Sequence, residues 1–392
     1  MSKIPTHTLS HSNHDASFAV TSFNNAESVK AWIRAEARAL GFGDCGFVSV
    51  DNPLFAKQMD ALNTWLADGM HGQMAFLEQH HDKRANPALL VEGTRTIVSV
   101  RMNYLQDVPK PRTVADNERP NHAIIARYAR GRDYHKVMRS RLKKLAKRIE
   151  TMLPNWQGLD VGADMPFVFR PFSDSAPIFE RPLADEAGLG WTGKHTLLIN
   201  REAGYFFVLG ELFLSLSLPE DAPVSEHCGS CFACAKVCPT DAIVAPYQLD
   251  ARACISYLTI EHEGIIDEKY RRAMGNRVFG CDDCQLICPW NRYAKTTTVS
   301  DFHARHGLDN RTLLDLWQWS EDEFLSHTEG SPIRRTGYVN FLRNLAIGIG
   351  NAPFHVDNLT QLKARLGQHG DMLDEHILWA IDEQTSKEKH NA

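Results

Sequence analysis

The chain has 392 residues, 43% hydrophobic and 23% charged, with a formal net charge of −5. That length exceeds what one core usually holds and predicts two or three domains. The charge excludes a globally basic nucleic-acid binder, so any such contact must come from a local patch. No apolar run approaches the ~18 residues of a membrane span, and the first 25 residues hold no apolar signal core, which predicts a cytoplasmic protein.

Residues 1–25 are rich in Ser, His, Thr and Asn and read as a disordered tail, with His7, His11 and His14 solvated. From Ala26 an amphipathic helix runs through Val29, Trp32, Ile33 and Ala37 to Leu40, and 46–50 follows as a strand. A second helix is expected over 60–77, with Trp65 and Met70 on its apolar side, then a β-branched strand over 96–100. Residues 128–153 are the most basic stretch. Tyr134, Met138, Leu142, Leu145, Ile149 and Met152 step by three and four, which predicts a helix with one buried face. Its outer face is either merely solvated or a phosphate-binding surface.

A strand is predicted over 167–172, then a glycine-capped helix through Ile178, Leu183 and Ala187, and strands over 196–199 and 205–213. This mixture predicts an α+β or α/β domain over 26–220, and it contains neither a GxGxxG fingerprint nor a Walker loop. Asp174, just past a strand and three residues before Pro177, reads as a turn or helix N-cap. After a linker at 219–223 comes a cysteine-rich unit, 221–292. The remainder, 293–392, is predicted as short helices near 313–319, 341–349, 359–366 and 373–381, resembling one or two α-repeat (HEAT-like) units.

The cysteine-rich unit carries the strongest signal. Cys228, Cys231, Cys234 and Cys238-Pro239 have the bacterial ferredoxin spacing, in which three thiolates bind one cubane and the fourth ligates the other. A second run, Cys281, Cys284 and Cys288-Pro289, lacks its first member, and Cys254 completes it. Crossing the fourth ligand gives Cys228, Cys231, Cys234 and Cys288 on one [4Fe-4S] cluster and Cys238, Cys254, Cys281 and Cys284 on the other. Four-cysteine zinc sites are the alternative. Cys45, in an apolar run, reads as a buried thiol.

Arg84-Ala-Asn-Pro87, Arg132-Asp-Tyr-His135, Asp174-Ser-Ala-Pro177, Glu180-Arg181, residues 188–194, Tyr257 near Cys254, and the run from Gly280 to Asn291 together resemble the epoxyqueuosine reductases, over nearly everything from Ala26 onward. The resemblance implies a cobalamin-dependent enzyme that reduces epoxyqueuosine to queuosine at the wobble position of GUN-anticodon tRNAs, the last step of queuosine biosynthesis. It implies an N-terminal cobalamin domain similar to that of reductive dehalogenases, and Asp174 as proton donor with a raised pKa. Arg84, Tyr134, Asp174, Lys194 and Asp282 are implied as cobalamin contacts. Asp133-Tyr-His135 nearly mimics the signature of proteins that ligate cobalt through histidine, but Met138 stands where glycine belongs, so base-off cobalamin without a protein histidine is expected. Expected partners are the tRNA, met by the basic helix and by Arg334, Arg335, Arg343, Lys363 and Arg365, and a low-potential flavodoxin- or ferredoxin-type donor to a monomer. A corrinoid dehalogenase-like reductase and a non-catalytic electron-transfer module are the rival readings.

Overall fold

The computed structural model describes residues 25–107, 119–156 and 166–391. The expected tail, with His7, His11 and His14, lies outside the described residues apart from Asn25. Four strands form the central sheet in the order Asp44–Ser49, Thr96–Asn103, Phe207–Leu214 and Phe169–Phe172, every pairing antiparallel. Of the two classes the sequence left open, this is α+β. Thr96–Asn103 and Phe207–Leu214 are almost wholly buried, as expected of β-branched and aromatic strands covered on both faces. The basic helix, Tyr134–Met152, covers one face and buries Met138, Leu142, Leu145, Ala146 and Ile149. It starts later than its charge run because the Asp133 carboxylate accepts from the His135 N–H and caps it. The short helix Glu180–Glu186 approaches the sheet edge where Gly46 lies. A Cβ at Gly46 would stand 2.0 Å from the Ala187 carbonyl, so only glycine admits this packing.

The expected helix over 60–77 is instead Leu54–Ala67. Gly69 and Gly72, both at positive φ, turn the chain there, and Met70 falls outside the helix.

The apolar residues gather into two cores. One surrounds the sheet and includes Phe47, Val98, Leu142 and Phe213. The other joins the C-terminal helices to the second half of the cysteine-rich unit, packing Ile255, Leu258, Val278 and Phe279 against Trp317, Phe341, Leu345 and Ile377. A segment of that size wrapped around two cavities has little apolar volume of its own and borrows its neighbour's. At the centre of the second core lies Tyr338–Asn351, buried over most of its length against Asp371–Asn391. No helix among the described residues is long and apolar enough to cross a membrane.

Candidate functional site

The eight cysteines of the two runs and Cys254 divide between two cavities, four lining each. Cys228, Cys231, Cys234 and Cys288 line one of about 200 Å³. Cys238, Cys254, Cys281 and Cys284 line another of about 400 Å³. Electrostatics divides them in the same way. Burial pushes the Cys288 thiol up to about 12, with Cys228, Cys234 and Cys231 adding to the shift. Burial likewise raises Cys284 well above the usual thiol value, helped by Cys281, Cys254 and Cys238. Such thiols resist ionisation when nothing binds them, and a bound cation reverses that preference. Cys45 is buried in the sheet core, as expected.

The second cavity is more than a cluster pocket. Its wall also holds Tyr104, Tyr128, Tyr134, Asp174 and Asp282. At Asp174, Glu180, Thr196, Leu209 and Leu249 it joins a larger cavity of about 670 Å³, which is also lined by Trp65, Leu77, Arg84, Phe179 and Arg181. One quartet of thiols therefore opens into the same space as Asp174. Asp282 in that wall is fixed by accepting from the Arg127 N–H and guanidinium, both at 3.0 Å.

Asp174 sits just past its strand with φ +50°, a left-handed conformation that aspartate tolerates better than most residues. Its own N–H donates to Glu180 Oε1, which holds the turn. The side chain is 58% accessible, because it faces the open cavity. Tyr134 Oη donates to Asp174 Oδ2, and His135 Nε2 lies 3.6 Å from that oxygen. On its other side His135 Nδ1 is 2.6 Å from Asp133 Oδ1. The surrounding cavity walls disfavour the Asp174 carboxylate, but the nearby His135 ring, the Tyr134 hydrogen bond and the Arg335 charge outweigh them and hold the pKa below the usual range. This corrects the expected raised pKa: the apolar neighbours visible in sequence matter less than one hydrogen-bond donor and one imidazole at the start of the basic helix. The elevated groups are Glu180 and Glu211 behind it. Burial first, then the Asp174 charge, lifts Glu180 to about 7, and burial and Glu180 push Glu211 well up.

Arg84, Tyr134, Asp174 and Asp282 thus come together around the joined cavities. Lys194 does not. Its ammonium donates to the Gly229 and Cys231 carbonyls and stands over the Phe232 ring, 4.4 Å from the centroid, so it clamps the loop of the first quartet.

The C-terminal cations also separate. Arg343 is wholly buried, donating to the carbonyls of Leu258, His262 and Gly264 and to Asn344, and it cannot meet a phosphate. Arg365 is engaged by Tyr338 Oη, the Trp317 carbonyl and the Trp317 ring. Arg334 bonds the Leu325 carbonyl from an exposed position, and Lys363 is exposed. Arg335, paired with Glu261, is near enough to stabilise the Asp174 charge. Along the basic helix, Arg132, Lys136, Arg141 and Lys144 line a cleft of about 680 Å³ with Arg305, facing Asp133, Asp301 and Glu329.

Residues 227–291 match the 4Fe-4S double cluster binding domain, and residues 84–175 match the family described as epoxyqueuosine reductase QueG. The chain is 51% identical to an epoxyqueuosine reductase of Salmonella typhimurium over 94% of its own length and 90% of the relative's. It is 50% identical to one of Pseudomonas aeruginosa, over 91% and 93%. In structure it resembles an epoxyqueuosine reductase solved with an epoxyqueuosine-modified tRNA-Tyr stem loop, with 25% identity, a TM-score of 0.79 and coverage of 92% and 91%.

Proposed function

The chain belongs to the epoxyqueuosine reductase family, and we propose that it reduces the epoxide of epoxyqueuosine in tRNA to the cyclopentene of queuosine, with Asp174 protonating the leaving oxygen. One observation carries the reading: a thiol quartet suited to an iron–sulfur cluster and the Asp174 carboxylate open into one cavity. Electron delivery and proton delivery therefore converge on the same point.

Epoxide to alkene and water takes two electrons and two protons. The first quartet is the outer one, with Cys231 exposed and Phe232 presented beside it, so it is where a low-potential flavodoxin- or ferredoxin-type donor docks. The quartet containing Cys254 lies inward and passes electrons into the cavity. The joined cavities suit a bulky corrin: they are lined by tyrosines and apolar side chains, and by a buried Arg84 whose Nε has no partner among the described residues. When bound there, cobalamin supplies a low-valent cobalt that applies electrons to the strained carbon. Arg84, Tyr134 and Asp282 would hold it, in the base-off form. Asp174 lines both joined cavities, and a flipped base must place its epoxide within reach of that carboxylate. Arg335 at this site and the cleft of Arg132, Lys136, Lys144 and Arg305 are the cations placed to hold RNA phosphates.

In this reading residues 26–220 form the catalytic domain, 221–292 the two-cluster unit and 293–392 a helical RNA-facing unit, in a cytoplasmic monomer. The test is anaerobic titration of the cluster-loaded protein with cob(II)alamin. Stoichiometric binding with an EPR spectrum lacking benzimidazole nitrogen coupling is expected. Absence of binding would reduce the protein to an electron-transfer module.

A further inference from the structure

We propose that His135 is the proton store behind Asp174, passing a proton from Nε2 to Asp174 Oδ2 each time the aspartate has given one to the substrate oxygen. This rests on reading the site as an epoxide reductase. The stoichiometry creates the need. As the first C–O bond breaks, the oxygen takes one proton and becomes a hydroxyl; as the second breaks, the hydroxyl takes another and leaves as water. Two electrons from the low-potential donor, delivered through the clusters, complete the balance. Asp174 is held as a carboxylate and stores no proton of its own at neutral pH, so it must be charged for each of the two steps while RNA covers the cavity.

The geometry supplies the source. Two side chains reach the Asp174 carboxylate from the start of the basic helix, Tyr134 and His135. The phenol keeps its proton, because burial and the Asp174 charge push its pKa far up. The imidazole is different. Asp133 Oδ1, 2.6 Å from Nδ1, holds a proton there and leaves Nε2 directed to Asp174, while the ring stacks on Tyr134 at 4.0 Å. Loss of the Nε2 proton therefore leaves a neutral ring in its correct tautomer. The helix N-terminus and burial both oppose an imidazolium. The carboxylates of Asp133 and Asp174 outweigh them and lift His135 to about 9. Glu180 lies beyond Asp174, Lys136 beside Asp133, and Arg335 faces Asp174 from the C-terminal part. Asp133 also lines the open cleft on the outer side of the helix, and His135 keeps 13% accessibility. Protons can therefore return from water there, without crossing the substrate-filled cavity.

Two measurements test this. Nitrogen-15 NMR of the histidine rings, on cluster-loaded protein without cobalamin, should show His135 titrating near 9 in the native chain. In Asp174→Asn it should titrate at least one unit lower, about 1.4 kcal/mol of lost interaction. Titration at the ordinary histidine value in both proteins would overturn the pairing. Single-turnover reduction by the cobalamin-loaded enzyme should slow as pH rises through about 9. His135→Gln should lower the rate by roughly 10²–10⁴-fold and remove that alkaline limb, with cluster and cobalamin absorbance unchanged. A glutamine variant with the native pH profile and rate would overturn the proposal. If the loaded native enzyme reduces no epoxyqueuosine, the functional reading fails, and the NMR arm still decides the His135–Asp174 pair.

Discussion

Replacing Arg343 by methionine separates a structural cation from an RNA-binding one. The guanidinium is wholly buried among apolar helices and reaches three backbone carbonyls: Leu258 at 2.9 Å, His262 at 2.8 Å and Gly264 at 2.9 Å. Burial depresses its pKa to about 10, with the Glu263 charge partly opposing, yet it remains charged at neutral pH. Methionine approximates the stem volume but leaves the three carbonyls without a donor. At about 1–3 kcal/mol for each buried unsatisfied group, with partial relief by water, the loss is about 3–5 kcal/mol. That is a large part of the 5–15 kcal/mol typical of a whole domain. The damage should begin at Ile255–Ile260 and the loop after it, which the guanidinium ties to the C-terminal helices. Urea unfolding should shift strongly, iron bound by the Cys254 quartet should be lost first, and tRNA affinity per folded molecule should not change. A variant as stable as the native chain that binds tRNA weakly would refute this reasoning and return Arg343 to the RNA surface.

Other outcomes follow from the same geometry. Cys254→Ser should lower bound iron from about eight to about four per chain, since the other quartet lines its own cavity; an unchanged count would break the pairing. Asp174→Asn should retain both clusters and cobalamin while reduction falls by roughly 10²–10⁴-fold, measured in single turnover. Full activity would remove Asp174 from the mechanism. Lys136→Glu with Lys144→Glu should weaken tRNA binding and flatten its dependence on salt, leaving reduction of the free nucleoside unchanged. An unaltered salt slope would leave that face merely solvated.

Local chemistry was legible in the sequence. Thiol spacing predicts two quartets, whose members line two separate cavities, and three–four periodicity predicts Met138, Leu142, Leu145 and Ile149 as the buried face of the basic helix. Long-range partners were not. Lys194 and Arg343 look like free cations in a string of letters, and only the fold shows them holding carbonyls 35 and up to 85 positions away. The environment of Asp174 is hidden from the sequence for the same reason. Its sequence neighbours are apolar, but Tyr134 and His135, forty positions upstream, set its charge. The sequence marks His135 only through its resemblance to a cobalt-ligating signature, and the one hint of the proton-relay role proposed here is Asp133 two residues before it.

The most direct test incubates the anaerobic, cobalamin-loaded protein with epoxyqueuosine-containing tRNA and a low-potential reductant, and reads the nucleosides by mass spectrometry. Loss of one oxygen from epoxyqueuosine, dependent on cobalamin, is the expected result. Intact clusters and bound cobalamin without conversion would contradict the account and point to a corrinoid reductase acting on another substrate.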